Sequence, residues 1–186
     1  MARFHYFPGD VLSETELRAA CLDGHLVHLG AGFIPADAVE TTWMRARSLG
    51  PILTDALAAV GTTAAWIHGG GAELPYPLAV QRVGRRRLHR SPATNVVYHD
   101  VLLDPADVLA IAGIAVTTLD RTVADLARGA VSLDALRAFV REQPGALDQG
   151  TAWLHAHPRF PGARRGLAAL RAVAEANADP QDEVTR

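Results

Sequence analysis

The sequence predicts an α+β protein: a truncated winged-helix-like N-terminal segment, a small mixed or antiparallel sheet packed with helices, and a helical C-terminus. Three observations carry that expectation. The stretch "IAVTTLDRTVADLARG", residues 114–129, passes from a β-branched run through two threonines straight into a helical pattern. Short strand signals precede it, separated by Gly-, Pro- and Arg-containing connections. From Ser132 onward the spacing of apolar residues is helical.

Ser13, with Glu16 three residues on, predicts a capping box and a helix whose Leu17, Ala20 and Cys21 share a face. Asp23-Gly24 ends that helix. "HLVHL" and "GFIPA" follow as two strands joined at Gly30-Ala31. A helix begins near Thr41 or Thr42, with Trp43, Ala46 and Leu49 on one side. Pro51 is expected to open another, "PILTDALAAVG", because proline suits a first helical position. "TTAAWIHGGGA" reads as a short helix capped by Thr62 or Thr63 and stopped by glycines. Strand signals lie near 78–83 and 95–101, and "DVLAIAG" and "IAVTT" flank a turn at Gly113.

At the joint, Ile114 and Val116 face the core and Thr117 is the expected cap. Asp120 meets the free N–H groups and positive end of the helix dipole. Leu119, Val123 and Leu126 form the apolar face, and Gly129 closes the helix. Three helices follow: "SLDALRAFVREQ", "ALDQGTAWLHAH" and "PGARRGLAALRAVAEAN". These signals divide the 186 residues into a winged-helix-like segment (1–40), an α+β core (41–130), a helical region (131–178) and a frayed tail (179–186).

Composition narrows the function. At 49% hydrophobic and 20% charged, with a net charge of −2, the chain is neither disordered nor a general nucleic-acid coat. No apolar run approaches the roughly 18 residues of a membrane span, and the N-terminus lacks a secretory apolar region. The single cysteine, Cys21, cannot form an internal disulfide, so a cytoplasmic location is expected. His155 and His157 would point about 200° apart on a helix and so share no metal. His25 and His28 fall on opposite faces of a strand. No nucleophile elbow is present, so "HGGGAE" (68–73) is a helix-ending turn rather than an oxyanion loop. Arg121 and Asp125, one turn apart, read as a solvated surface pair. No catalytic residue, cofactor or metal is expected, and the chain is not expected to be an enzyme.

What remains is arginine. All eighteen basic residues are arginine. "RVGRRRLHR" holds Arg82, Arg85, Arg86, Arg87 and Arg90 without an acid. A second cluster spans Arg159, Arg164, Arg165 and Arg171, with no acidic residue between Asp148 and Glu175. Arg164 and Arg171 share a helical face. Arg82, Arg85, Arg86, Arg87, Arg90, Arg164, Arg165 and Arg171 are therefore the candidate phosphate contacts.

Several segments are similar to the AbiEi-type antitoxins of actinobacterial type IV toxin–antitoxin systems, in the short form without a C-terminal nuclease-like domain. "GHLVHLGAGFIPAD" resembles the wing of the family's winged helix, and "TTAAWIHGGGA" its small-residue helix. "IAVTTLDRTVADLAR" is the strongest match, although the family usually carries proline at or near Leu119. "RFPGARRGLAALRAV" resembles the last helix. The resemblance implies an antitoxin that binds promoter DNA and represses its own operon. It also implies a partner, a nucleotidyltransferase-like toxin encoded nearby; the residues themselves point to no membrane partner and no small-molecule substrate. The alternative is a protein-interaction module that neutralises the toxin without touching DNA. The near-neutral charge and the shortened N-terminus favour that alternative, and the first helix, where Glu14 and Glu16 outnumber Arg18, would be repelled by phosphates.

Overall fold

The structure, a computed structural model, describes residues 5–84, 95–129 and 131–178. At the N-terminus, α1 (Glu14–Leu22) starts on the anticipated capping box. The Ser13 hydroxyl accepts the Glu16 N–H at 3.3 Å, and the Glu16 carboxylate accepts the Ser13 N–H at 2.8 Å. These bonds to the ionised carboxylate hold the Glu16 pKa below its ordinary value. β1 (Leu26–Leu29) and β2 (Gly32–Pro35) form the expected antiparallel hairpin, and Tyr6 adds a bridge to Phe33. Leu17, Leu26 and Phe33 close a small apolar core beneath it. His25 lies in the turn before β1 rather than in the strand.

The hairpin leads to α2 (Thr42–Ser48), capped by the Thr41 hydroxyl. Ala46 and Leu49 are fully buried, but Trp43, expected beside them, is 51% exposed. The predicted helix at Pro51 is not formed. Turns lead instead into β3 (Leu57–Ala59), which lies at the centre of the sheet. An alanine-rich run buried on both faces shows no period of 2, so it cannot be told from a helix by pattern.

α3 (Gly61–Ile67) follows β3. Its cap is Val60, without a side-chain bond. Thr63, expected as a cap candidate, accepts the Ala79 N–H at 2.8 Å and so ties α3 to β4 (Leu78–Arg82). β4 pairs with β5 (Val96–Leu102) in parallel, which makes the sheet mixed. β6 (Val108–Ile111) and β7 (Ile114–Thr117) are the predicted hairpin, turning on Ala112 and Gly113 at φ 52° and 81°. The five strands run in the order β5-β4-β3-β7-β6, with β3 antiparallel to β4 and parallel to β7. One sheet face packs Leu57, Val80 and Val116 against Met44, Leu49, Trp66 and Ile67. The other carries small residues, Ala58, Ala79 and Ala115, under Leu103.

α4 (Leu119–Arg128) leaves the sheet as the joint predicted. Its cap is Thr118, without a side-chain bond; the Thr117 hydroxyl is turned inward, 2.8 Å from that of Thr122. α5 (Leu133–Glu142), α6 (Ala146–Ala156) and α7 (Ala163–Ala178) surround α4, and every residue from Arg121 to Ala127 is buried. α4 and α6 touch closely at Gly150, where a Cβ would lie 2.3 Å from Val123 Cγ1. Among the described residues, no helix is long and apolar enough to cross a membrane.

Candidate functional site

Two arginine populations separate on the structure. The first is buried. Between β5 and β6, Asp104 caps a 3₁₀ turn (Pro105–Asp107) by accepting the Ala106 N–H at 2.9 Å. The turn is pinned to the start of α4 because Thr118 N–H donates to the Asp107 carbonyl at 2.9 Å. This points the Asp107 carboxylate at α4 and α6. Arg121 Nη1 donates to its Oδ2 at 2.6 Å, and Trp153 Nε1 donates to its Oδ1 at 2.8 Å. Arg121 Nε also donates to Asp125 Oδ2 at 3.1 Å, while Arg128 Nε donates to Asp125 Oδ1 at 2.9 Å.

Both carboxylates are thus fully engaged, and two guanidinium groups balance two acids. Arg121 is 5% exposed and Asp125 9%, so the expected solvated pair is a buried one. The surface pattern on α4 could not reveal this, because Asp107 lies on another element. The aromatic rings complete the enclosure. The Arg121 guanidinium sits 5.1 Å from the Trp153 ring centre and 4.7 Å from that of Phe160; Arg128 sits 4.4 Å from Phe160. His157 stacks on Trp153 with 4.0 Å between centres.

This network forms one wall of a cleft of about 650 Å³. Its opposite wall is the small-residue face of the sheet, with Ala79 and Gln81 from β4 and His99 from β5. Among the described residues, no three histidine, cysteine, aspartate or glutamate side chains gather as a metal site.

A second, part-buried contact fixes the joint at Thr117. His68 Nε2 lies 2.8 Å from the Thr117 carbonyl, and the Gln143 amide donates to the His68 carbonyl at 2.8 Å. Burial lowers the His68 pKa, partly opposed by the bond to Thr117. The histidine-glycine step therefore ends a helix, as expected, and also binds that helix to β7 and α5.

The second arginine population is exposed. Arg164, Arg165 and Arg171 all stand on the outer side of α7, and Arg159 is exposed just before it. Among the described residues, none of these four has a carboxylate partner. Arg165 Nη2 donates to the Gly129 carbonyl, so part of its guanidinium group is engaged although the side chain is exposed. Arg82 differs: it is 9% exposed, paired with Asp100 at 3.0 Å, and donates to the Gly84 carbonyl at 2.9 Å. Arg82 therefore leaves the set of candidate phosphate contacts. Arg85, Arg86, Arg87 and Arg90 lie outside the described residues.

No family model matches the chain, and no curated protein does. Among solved structures it is similar to the RV2827C protein from Mycobacterium tuberculosis at 15% identity. That match covers 86% of this chain and 68% of the other, with a TM-score of 0.35. A likeness of that degree assigns no role.

Proposed function

We propose that this chain is a DNA-binding transcriptional autoregulator of the AbiEi antitoxin kind, which acts through surface arginines and performs no turnover. Arg164, Arg165 and Arg171 of α7 contact phosphates, together with Arg85, Arg86, Arg87 and Arg90 of the β4–β5 connection. The observation that carries this reading is the exposure of the α7 arginines without acidic partners among the described residues, where the buried Arg45, Arg82 and Arg121 are each paired with an acid. Exposed, unpaired guanidinium groups displace counterions when they reach phosphates, and each such contact steepens the salt dependence of binding. α1 makes no phosphate contact, because its first turn is acidic and its last turn has no base. A gel-shift series on DNA upstream of the reading frame tests this. The expected result is a shift that Arg164→Gln/Arg165→Gln/Arg171→Gln weakens strongly. A shift unchanged by that variant contradicts it.

One observation favours a second reading, a module that neutralises a nucleotidyltransferase-like toxin without DNA. α1 offers an acidic surface ending in Leu22, which is 90% exposed, a poor match to phosphates and a good one to a protein. Co-purification with the product of the adjacent gene, lost in Leu22→Glu, supports that reading. No co-purification opposes it.

A further inference from the structure

α5 is apolar on more than the side it buries. Leu136, Phe139 and Val140 pack into the helical core. Ala135 and Ala138, three apart and on one side of the helix, are exposed. They line a groove of about 300 Å³ between α5 and the turn that follows α3, with buried Leu126 and Phe139 at its base. The groove is built into the fold. The Gln143 amide ties α5 to the end of α3 through the His68 carbonyl, and Gly70 N–H donates to the Ala65 carbonyl at 2.8 Å. A Cβ on Gly70 would lie 2.5 Å from Phe139 Cδ2, so the absence of a side chain lets the turn close on that ring. A site formed in advance loses little ordering entropy when it is filled.

Charge at the edges of the groove selects the occupant. Glu73, on the turn, and Glu142, four residues on from Ala138, both line it and are exposed. Among the described residues neither has a hydrogen-bond or ion-pair partner. No arginine or histidine lines the groove among those residues; Arg141, next to Glu142, is not part of the lining. An apolar base between two free carboxylates complements an apolar group that carries positive charge on its flanks. The size favours a side chain over a whole cofactor, because ligand pockets span about 300–1,000 Å³ and this one is at the lower end. Tyr76 and Leu133, each within two residues of a lining position, are also large, apolar and exposed, as on a surface that meets another protein.

We infer that this groove docks a partner polypeptide through a bulky aliphatic side chain flanked by arginine or lysine. The aliphatic group rests on Leu126 and Phe139, and the cations meet Glu73 and Glu142. The inference rests neither on the phosphate contacts of α7 nor on the acidic surface of α1.

Nuclear magnetic resonance titration of the isotope-labelled whole chain with three end-blocked peptides tests it: Arg-Leu-Leu-Arg, Glu-Leu-Leu-Glu and Arg-Gly-Gly-Arg, each taken to millimolar concentration. Arg-Leu-Leu-Arg is expected to shift the amide signals of Gly70, Gly71 and residues 135–142, and the other two peptides to leave them in place. Glu73→Gln/Glu142→Gln should weaken that binding about fivefold, as expected for two exposed ion pairs. Ala138→Trp, which fills the groove from an exposed position, should abolish it. The glutamine variant alters exposed side chains only and should melt with the parent; if Ala138→Trp melts lower, the glutamine variant alone decides. No binding of Arg-Leu-Leu-Arg, equal shifts from all three peptides, or an affinity unchanged in Glu73→Gln/Glu142→Gln overturns the inference. So does self-association in sedimentation that Ala138→Trp abolishes, which would make a second copy of this chain the occupant. The glutamine variant should retain the salt-sensitive DNA shift, so failure here and failure of the α7 reading are separate results.

Discussion

Asp107 is the residue on which the architecture turns. It sits 14 positions from Arg121 and 46 from Trp153, and it joins the sheet to both helices through one carboxylate. Replacing it with alanine leaves Arg121 buried beside a single acid. Breaking a buried pair by removing one partner costs about 3–5 kcal/mol. Asp107→Ala is therefore expected to lower the urea midpoint strongly, and the double variant with Arg121→Leu to recover part of the loss. An unfolding free energy within ~0.5 kcal/mol of the parent would show the pair to be idle.

His68 makes a second prediction at this scale. Its pKa is lowered in the fold, so the unfolded chain binds a proton more readily. The stability this histidine confers is complete above its ordinary value of 6.5 and is lost as pH falls through the lower folded value. The melting temperature of the parent should fall as pH drops below 6.5, and His68→Gln should flatten that fall. His5, also lowered by burial, keeps some slope in the variant. A parallel pH profile for parent and variant would exclude His68 as the source.

At the scale of elements, what was legible in the sequence is what local chemistry decides. Ser13 and Glu16 start α1, Gly113 turns β6 into β7, the chain is helical from just after Ser132, and the strand-to-helix joint at 114–129 stands where its residues put it, with Thr118 rather than Thr117 at the cap. The failures share a cause. β3 was hidden because alanines buried on both faces carry no alternation, and parallel pairing of β4 with β5 depends on strands rather than on the residues between them. Asp107 was invisible because its partners come from distant elements. The exposed arginines of α7 were legible because helical spacing alone places them outside.

Packing between elements gives a testable consequence at Gly150. A methyl group there would overlap Val123 on α4. Gly150→Ala adds helix propensity in α6, yet overpacking of a tight contact costs about 1–3 kcal/mol, so a net loss is expected. Thermal melting that rises instead would mean the two helices part freely. Ser13→Ala isolates the cap in the same way. An N-cap hydroxyl is worth about 1 kcal/mol, and its loss should show as faster amide exchange confined to the first turn of α1. Unchanged exchange there would leave the capping box without effect.

For the molecule as a whole, the net charge of −2 conceals a division of labour. Among the described residues, guanidinium groups inside the fold are consumed by Glu40, Asp100, Asp107 and Asp125; the Asp107 and Asp125 pairs tie the turn before β6 to α4, and the Asp100 pair ties β4 to β5. Those on α7 face outward and leave their charge available to a partner. The most direct test of that division is the salt dependence of affinity for the upstream DNA, read by fluorescence anisotropy. The slope of log affinity against log salt changes by about 0.9 for each phosphate contact removed. Replacing Arg164, Arg165 and Arg171 with glutamine should leave the melting temperature unchanged and flatten that slope by roughly 2–3. A slope identical to that of the parent, or an affinity insensitive to salt in both, would contradict the account.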